Sequence, residues 1–364
     1  MRVRRSPNEG VTHIQHTQPR KRSYQIKDHL DHAIDFAYEE VPVIEYIFDD
    51  GIAISGSDQQ AMWGVAKDGK YYSEGFSKFN QRAVTHSEFW DSFDNGFTLD
   101  LDDKPQVEFE EPVNLWFNLG LYWHWFCEDF PLLKFFREND YPILTNVLHD
   151  WQIESLQFAP DLLERIYTVE TPCTVIAPEY HCFTYPAISM RGKSAEWVGH
   201  FLRDTIKPTY DWKPSQLTYI GRGDAVARCV ENEDEVKELL TSYGFTVIEE
   251  LSQLSLQDKV NLFASSKVIV SSTGANLTHC HAMQPGTKVI DFNHVFEIKE
   301  ECGWNNIGAS VGVEWTTIPA RTSDKDNDRS KAGGIKMKNR GLIADIDLLR
   351  HTVEHALSEG TERA

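Results

Sequence analysis

Between residues 219 and 292 the chain alternates short β-branched runs with amphipathic helical stretches, and this alternation restricts the fold more than any other feature. Residues 216–220 read as a strand. Asn232 followed by Glu235 fits a capping box, and Val236, Leu239, Leu240 and Tyr243 then recur at the spacing of one buried helix face. Gly244 stops that helix, residues 245–248 form a short strand, and Ser255 with Asp258 starts a second helix carrying Leu256, Val260, Phe263 and Ala264. Residues 267–271 and 288–292 follow as buried strands. Strands alternating with helices of this length give βαβ units, whose ligands sit beyond the carboxyl ends of the strands. The expectation is an α/β protein with one nucleotide-binding half in this stretch.

Composition limits what surrounds that half. At 364 residues and 41% hydrophobic content, two domains are expected. A formal charge of -20 argues against nucleic acid or an anionic membrane as partner of the body of the protein. The six cysteines show neither paired CxxC spacing nor disulfide-scaffold density, and no apolar run reaches the roughly 18 residues that span a membrane, so no integral membrane segment and a cytoplasmic location are expected.

In chain order, residues 1–23 hold Arg2, Arg4, Arg5, Arg20, Lys21 and Arg22 with few apolar residues. They are expected to form a disordered basic tail that could touch an anionic membrane peripherally. Residues 24–103 are irregular and strand-rich, and Asp100 and Asp102 offer a weak acidic pair for a metal. Residues 118–131 are different in kind. His124 and Glu128 are four apart on one helix face, Asp129 follows, and Trp116, Trp123, Trp125, Phe126 and Phe130 surround them. Acids and an imidazole among so many aromatics are candidates for acid-base work or for a structural polar cluster. Pro131 would kink or end the helix near Cys127. Pro208 and Pro214 mark a boundary, which divides the chain into 24–210 and 211–335 with a terminal helix within 336–364.

In the second half, Thr273, Gly274, Ala275 and Asn276 follow a buried strand and open a helix, where unpaired backbone amides form an anion site. Arg222 and Arg228 follow another strand at the same sheet edge and could neutralise a diphosphate. Asp291, at the end of the last strand, could accept from a ribose. His279, Cys280 and His281 invite a zinc reading, but i, i+2 residues diverge on a helix. No metal and no other cofactor is expected.

These residues resemble glycosyltransferase family 61, which includes bacterial capsule and polysaccharide enzymes, plant xylosyl- and arabinosyltransferases and eukaryotic O-linked N-acetylglucosaminyltransferases. Arg222, Asp224, Arg228, Asn232 and Glu233 match its arginine-containing strand end followed by Asn-Glu. Thr273 to Thr278, including Leu277, match its His-Gly-Ala-x-Leu-Thr loop, and Asp291 matches its acid-ended strand. His124, Trp125, Glu128 and Pro131 match its His-Trp-x-x-Asp-x-x-Pro pattern. Two positions depart from the pattern: Thr273 replaces the loop histidine, and Glu128 replaces the helix aspartate with Asp129 beside it.

The resemblance implies a GT-B-like fold, with two Rossmann-like domains facing across a cleft and the sugar nucleotide held by the second. It implies an inverting transferase that uses a UDP-sugar, N-acetylglucosamine or xylose, on a glycan or glycolipid hydroxyl. Glu128 would be the base, with Asp129 as substitute and His124 as orienting partner or second candidate. Arg222, Asp224, Arg228, Asn232, Glu233, Thr273, Gly274, Ala275, Asn276, Leu277 and Asp291 would hold the donor. A catalytically degenerate sugar-nucleotide or glycan-binding protein of the same fold is the alternative. A nucleotide-dependent oxidoreductase is disfavoured because no Gly-x-Gly-x-x-Gly follows a strand.

Overall fold

The computed structural model describes residues 2–5, 11–54, 64–68, 70–72, 97–98, 105–116, 118, 120–170, 173–188, 193–211, 213–223, 228–294, 303–323 and 341–358. The chain forms two compact units, one of Met1–Arg20 with Glu40–Ser189, the other of Lys21–Glu39 with Met190–Ala364. Their main sheets are built from β1 (Thr12–Gln15), β2 (Lys21–Asp28), β3 (Ala33–Glu39), β4 (Ile44–Asp49), β5 (Val113–Trp116), β6 (Ile143–Asn146), β7 (Ile166–Val169), β8 (Glu179–Phe183), β9 (Gln216–Ile220), β10 (Thr246–Ile248), β11 (Ser266–Ser272), β12 (Lys288–His294) and β13 (Glu314–Thr322).

In the first unit the order is β7-β6-β5-β8-β4-β1. β5 to β8 are parallel, and β4 and β1 add antiparallel strands at one side. The order of the parallel strands reverses between β5 and β8, and in an open α/β sheet such a switch point leaves a crevice at the carboxyl ends. β5 is buried along its whole length. Its Trp116 packs on Trp125, ring centroids 4.9 Å apart, and on Phe136 at 5.7 Å. A second sheet of this unit runs Gln106–Glu108, Thr174–Ile176, Ile52–Ile54, Gly64–Lys67, Lys70–Tyr72, Arg2–Arg5 and Phe97–Thr98.

The stretch expected as a tail is therefore partly strand. β1 pairs with β4, Thr12 opposite Ile47 and Gln15 opposite Ile44, and exposes all four side chains, so this edge strand carries no apolar alternation to read. An imidazole-carboxylate chain pins it. Half-buried His16 bonds Glu45 (2.8 Å) and Glu138 (3.2 Å), while His181 bonds the other oxygen of Glu45 (2.5 Å) and Glu179 (2.7 Å). Each ring thus faces a carboxylate at both nitrogens, an arrangement that only imidazolium satisfies as donor throughout. The pairing raises both histidines above their ordinary value. Burial pushes the Glu45 carboxyl up, but its bonds to His16 and His181 outweigh this and hold it at about 2.

In the second unit the order is β10-β9-β11-β12-β13-β2-β3, parallel from β10 through β2 with β3 antiparallel at the edge. The switch point lies between β9 and β11. Val268, Val270, Ile290, Phe292 and Ile318 share one core, and the intervening Ile269 and Val289 are buried as well, so β11 and β12 carry near-continuous apolar runs, as strands covered on both faces must. Val236, Leu239 and Leu240 of the helix Glu233–Ser242 pack against them. Leu349, Val353 and Ala356 of the terminal helix Ile346–Ser358 join this same core, so that helix belongs to the second unit.

The boundary falls at 189/190 and not at 210/211. The helix Glu196–Thr205 packs so tightly on Gly303–Ser310 that a Cβ at Gly199 would lie 2.0 Å from Ser310 Oγ. Residues 21–39 also move to the second unit, where Lys27 and Asp28 lie opposite Thr316 and Thr317. The two helix starts differ. Ser255 Oγ accepts from the Asp258 amide (3.1 Å), as a capping serine should. Asn232 caps nothing with its side chain; its amide group donates to Ala344 O (3.0 Å) and accepts from Ala344 N–H (2.9 Å), so the expected capping box is not formed.

Candidate active site

Just past the carboxyl end of β5, buried Asn118 anchors the turn: its amide donates to Thr145 Oγ1 (3.1 Å) and Asn146 Oδ1 (3.0 Å) and accepts from Gly120 N–H (3.0 Å) and Gln152 Nε2 (2.9 Å). Gly120 has φ +62, and a Cβ there would lie 2.8 Å from His149 Nε2, so only glycine fits. An irregular helix follows. Tyr122–His124 is α-helical, Trp125–Asp129 a π turn, Phe130–Leu132 a 3-10 turn and Leu133–Phe136 α-helical again. Pro131 has no N–H to give the Cys127 carbonyl, and the ladder re-forms around that gap, with Phe130 N–H bonding Trp125 O.

His124 and Glu128 meet across one turn, Nδ1 donating to Oε2 at 2.9 Å. Glu128 and Asp129 are fully buried, whereas the His124 side chain is 21% exposed. The imidazole is therefore the more accessible member of the pair, and the buried carboxylate fixes the orientation of its ring. Of the expected acid-base candidates, Glu128, Asp129 and His124, only His124 keeps an exposed side chain, a difference of burial that spacing does not reveal. Tyr185, just past the end of β8, faces the same acids: burial raises its hydroxyl well above the ordinary value, and the Asp129 and Glu128 charges add to it. The sequence reading missed Tyr185 and Asn118. Their only signal is position, immediately after two strands of the parallel set.

At the switch point of the second unit, Arg222 leaves the end of β9 and crosses to the loop after β11. Its Nη1 donates to Asn276 Oδ1 (2.7 Å) and Thr273 O (3.4 Å). A Cβ on Gly274 would lie 1.5 Å from that Nη1 and 2.6 Å from Cζ, so the guanidinium occupies the space a side chain would need. The glycine here answers to space, since its φ of 161 is ordinary extended backbone. Asn276 donates in turn to Ser271 Oγ and to Ser272 O (3.2 Å), and Ser271 Oγ donates to Ile220 O at 2.7 Å, which ties the ends of β9 and β11 together. A 3-10 helix, Ala275–Ala282, starts from Gly274, with Ala275 and Asn276 half-exposed at its amino end. A cation, a glycine and the first amides of a helix make a cradle for an anion. Arg228, at φ +58, places its guanidinium 5.5 Å from the Trp304 ring centroid.

The remaining sequence candidates fall elsewhere. Leu277 is fully buried in packing. Glu233 accepts from Tyr219 OH (3.0 Å) and pairs with Lys237 (3.2 Å), and Asn232 is engaged with Ala344. Asp291 is buried in the sheet layer, where Trp315 Nε1–H (3.0 Å) and Thr317 Oγ1–H (2.6 Å) donate to its Oδ1; a carboxylate so placed answers internal donors, not a ribose. Asp224, Asp100 and Asp102 lie outside the described residues. His279, Cys280 and His281 are fully buried; burial drives His279 far down and His281 to about 3, and pushes the Cys280 thiol up to about 12. Among the described residues no group of three His, Cys, Asp or Glu side chains could hold a metal ion, and no helix is long and apolar enough to cross a membrane.

Parallel α/β sheets with polar groups gathered at their switch points define the class of protein. The family model described as Glycosyltransferase 61 matches residues 122–290, from the irregular helix after β5 through most of β12. Over this region the chain is similar to that family, which supports a glycosyltransferase. Solved structures similar to it include the dodecameric iron-containing heptosyltransferase TibC in complex with ADP-D-beta-D-heptose (12% identity, 78% of this chain and 80% of that one, TM-score 0.32). A second is the iron-containing dodecameric glycosyltransferase TibC from enterotoxigenic E. coli H10407 (11% identity, 97% and 98%, TM-score 0.34). Likeness this slight carries no argument. No curated protein matches the chain.

Proposed function

We propose that the protein is an inverting glycosyltransferase of the GT-B class. It transfers a sugar from a UDP-sugar, N-acetylglucosamine or xylose, to a glycan or glycolipid hydroxyl in surface polysaccharide synthesis in the cytoplasm, without a metal. The observation that carries the reading is Arg222 seated against Gly274 at the switch point of the second unit. That cradle suits a diphosphate, because fixed cations and amides stabilise the charge that develops as the nucleoside diphosphate leaves.

In the proposed reaction His124 takes the proton of the acceptor hydroxyl at Nε2 while Glu128 holds its Nδ1–H. The acceptor oxygen attacks the anomeric carbon in line as the bond from that carbon to the diphosphate oxygen breaks. One displacement inverts the configuration. Arg222 and the amides at Gly274 and Ala275 receive the leaving charge, and Arg228 supports it. A second reading, binding without transfer, is motivated by Thr273 where the family pattern has histidine.

Donor hydrolysis and calorimetric binding with UDP-, GDP- and CMP-sugars, with and without chelator, test the proposal. UDP-sugar turnover that is insensitive to chelator is the expected result. Binding without turnover would favour the second reading, loss of turnover with chelator would refute metal independence, and no nucleotide binding would refute the cradle.

A further inference from the structure

At the amino ends of β12 and β13, away from the Gly274 loop, the second unit holds a cavity of about 130 Å³. It is framed by Lys288 and Glu314, the first residues of those strands, by the turn from β2 to β3, and by the last turns of the terminal helix. Thr273 N–H bonds Phe292 O, four residues along β12 from Lys288, so about 13 Å of strand separates the cavity from the donor loop. Its size lies well below the roughly 300–1,000 Å³ that a drug-sized ligand fills. It suits a single ring and not a sugar nucleotide.

The lining selects among guests by its chemistry. Asp28, Asp31 and Glu314 stand against Lys27 and Lys288, and the carbonyl end of the terminal helix adds negative potential at Ala356, where Lys288 Nζ already donates to the carbonyl (3.3 Å), so the cavity does not favour an anion. A metal ion lacks a ligand set, since among the described residues no three His, Cys, Asp or Glu side chains could hold one. Leu30 and Ala356 are too little apolar surface for an apolar guest. What remains is a neutral molecule rich in hydroxyls. A hydroxyl donates and accepts at once, and the lining sets donors beside acceptors: Lys288 Nζ stands 3.9 Å from Glu314 Oε2, and His355 Nε2 3.7 Å from Asp31 Oδ1. Each pair is too wide for a direct hydrogen bond and close enough for one hydroxyl to bridge. His29 lines the same cavity, and its buried Nδ1 has no hydrogen-bond partner among the described residues, a cost that a ligand hydroxyl removes.

We propose that this cavity binds one neutral sugar residue of a glycan chain, as a second saccharide site that holds the glycan without reacting with it. The site stands independently of the donor reading above. The test is saturation-transfer NMR and calorimetry of the full chain with the methyl glycosides of glucose, galactose, N-acetylglucosamine and xylose, whose blocked anomeric oxygen mimics a residue within a chain. At least one glycoside is expected to bind saturably, with a Kd of about 1 mM. Lys288→Met, which keeps the stem and removes the ammonium, and Glu314→Gln are each expected to weaken it about tenfold, whereas Arg222→Ala leaves it unchanged and inorganic phosphate does not displace it. No saturable binding by any of these glycosides, wild-type binding by Lys288→Met, displacement by phosphate, or loss of binding in Arg222→Ala would overturn the site. Glycoside binding in a protein that binds no sugar nucleotide would refute the donor reading and leave this one standing. Should Lys288→Met fail to melt cooperatively, His355→Ala, at a side chain 44% exposed on the terminal helix, decides the matter: weakened binding supports the site and unchanged binding overturns it.

Discussion

The switch points of the two sheets occupy the same topological position and carry opposite chemistry. In the first unit it is furnished with an imidazole, two buried acids and a box of aromatic rings; in the second, with a guanidinium, a glycine and the opening amides of a helix. In the proposed reaction one takes up a proton and the other receives negative charge. The manner of construction differs too. The first site depends on side chains of a helix that Pro131 has forced through a π turn, the second on backbone pulled close to one crossing arginine. The sheet thus supplies a place, and the local chain decides its chemistry.

Arg222→Ala should strike the second site hardest, lowering kcat/KM about 10²- to 10³-fold and weakening donor binding, measured by steady-state transfer and calorimetry. The melting behaviour of the first unit should not change. Gly274→Ala tests the same cradle by crowding: its Cβ would fall on Arg222 Nη1, and the displaced guanidinium should cost about tenfold in donor affinity, read in the same titration.

The two units should also answer pH in different windows, which hydrogen exchange of their strand amides would report. In the first, the stability from His16 and His181 is complete below their ordinary 6.5 and is lost as pH rises through their raised folded values. The Glu45 contribution is present above 4.5 and lost as pH falls towards about 2. In the second, Asp291 ionises at about 6 when folded and 3.8 when not, so its contribution is complete below 3.8 and lost as pH rises through 6. His181→Gln should flatten the alkaline loss in β1 and β4, and Asp291→Asn the change in β12.

Much of the second unit was legible because its signals are local. The faces of Glu233–Ser242 and Leu256–Ser265, the Ser255 cap and the buried strands follow from spacing within a dozen residues. What failed depended on distant partners. Asn232 has the right residue type for a cap, but Ala344, 112 residues on, takes its amide. β1 and the hairpin of β2 and β3 are edge elements whose pairing with β4 and β13 leaves little apolar pattern. At the sites, Arg222, the 273–276 loop and the His124–Glu128 pair were readable, whereas their order of exposure was not. The acid type of Asp291 was readable, but its donors Trp315 and Thr317 come from the neighbouring strand.

The central claim is a division of labour, with proton transfer in the first unit and charge stabilisation in the second. It is tested most directly by Glu128→Gln, with donor affinity and transfer measured on the same preparation. The account predicts affinity at the wild-type level and transfer reduced by about 10²- to 10⁴-fold, because the imidazole loses the carboxylate that orients it and balances its charge. Transfer that survives the substitution, or affinity that disappears with it, would contradict the account.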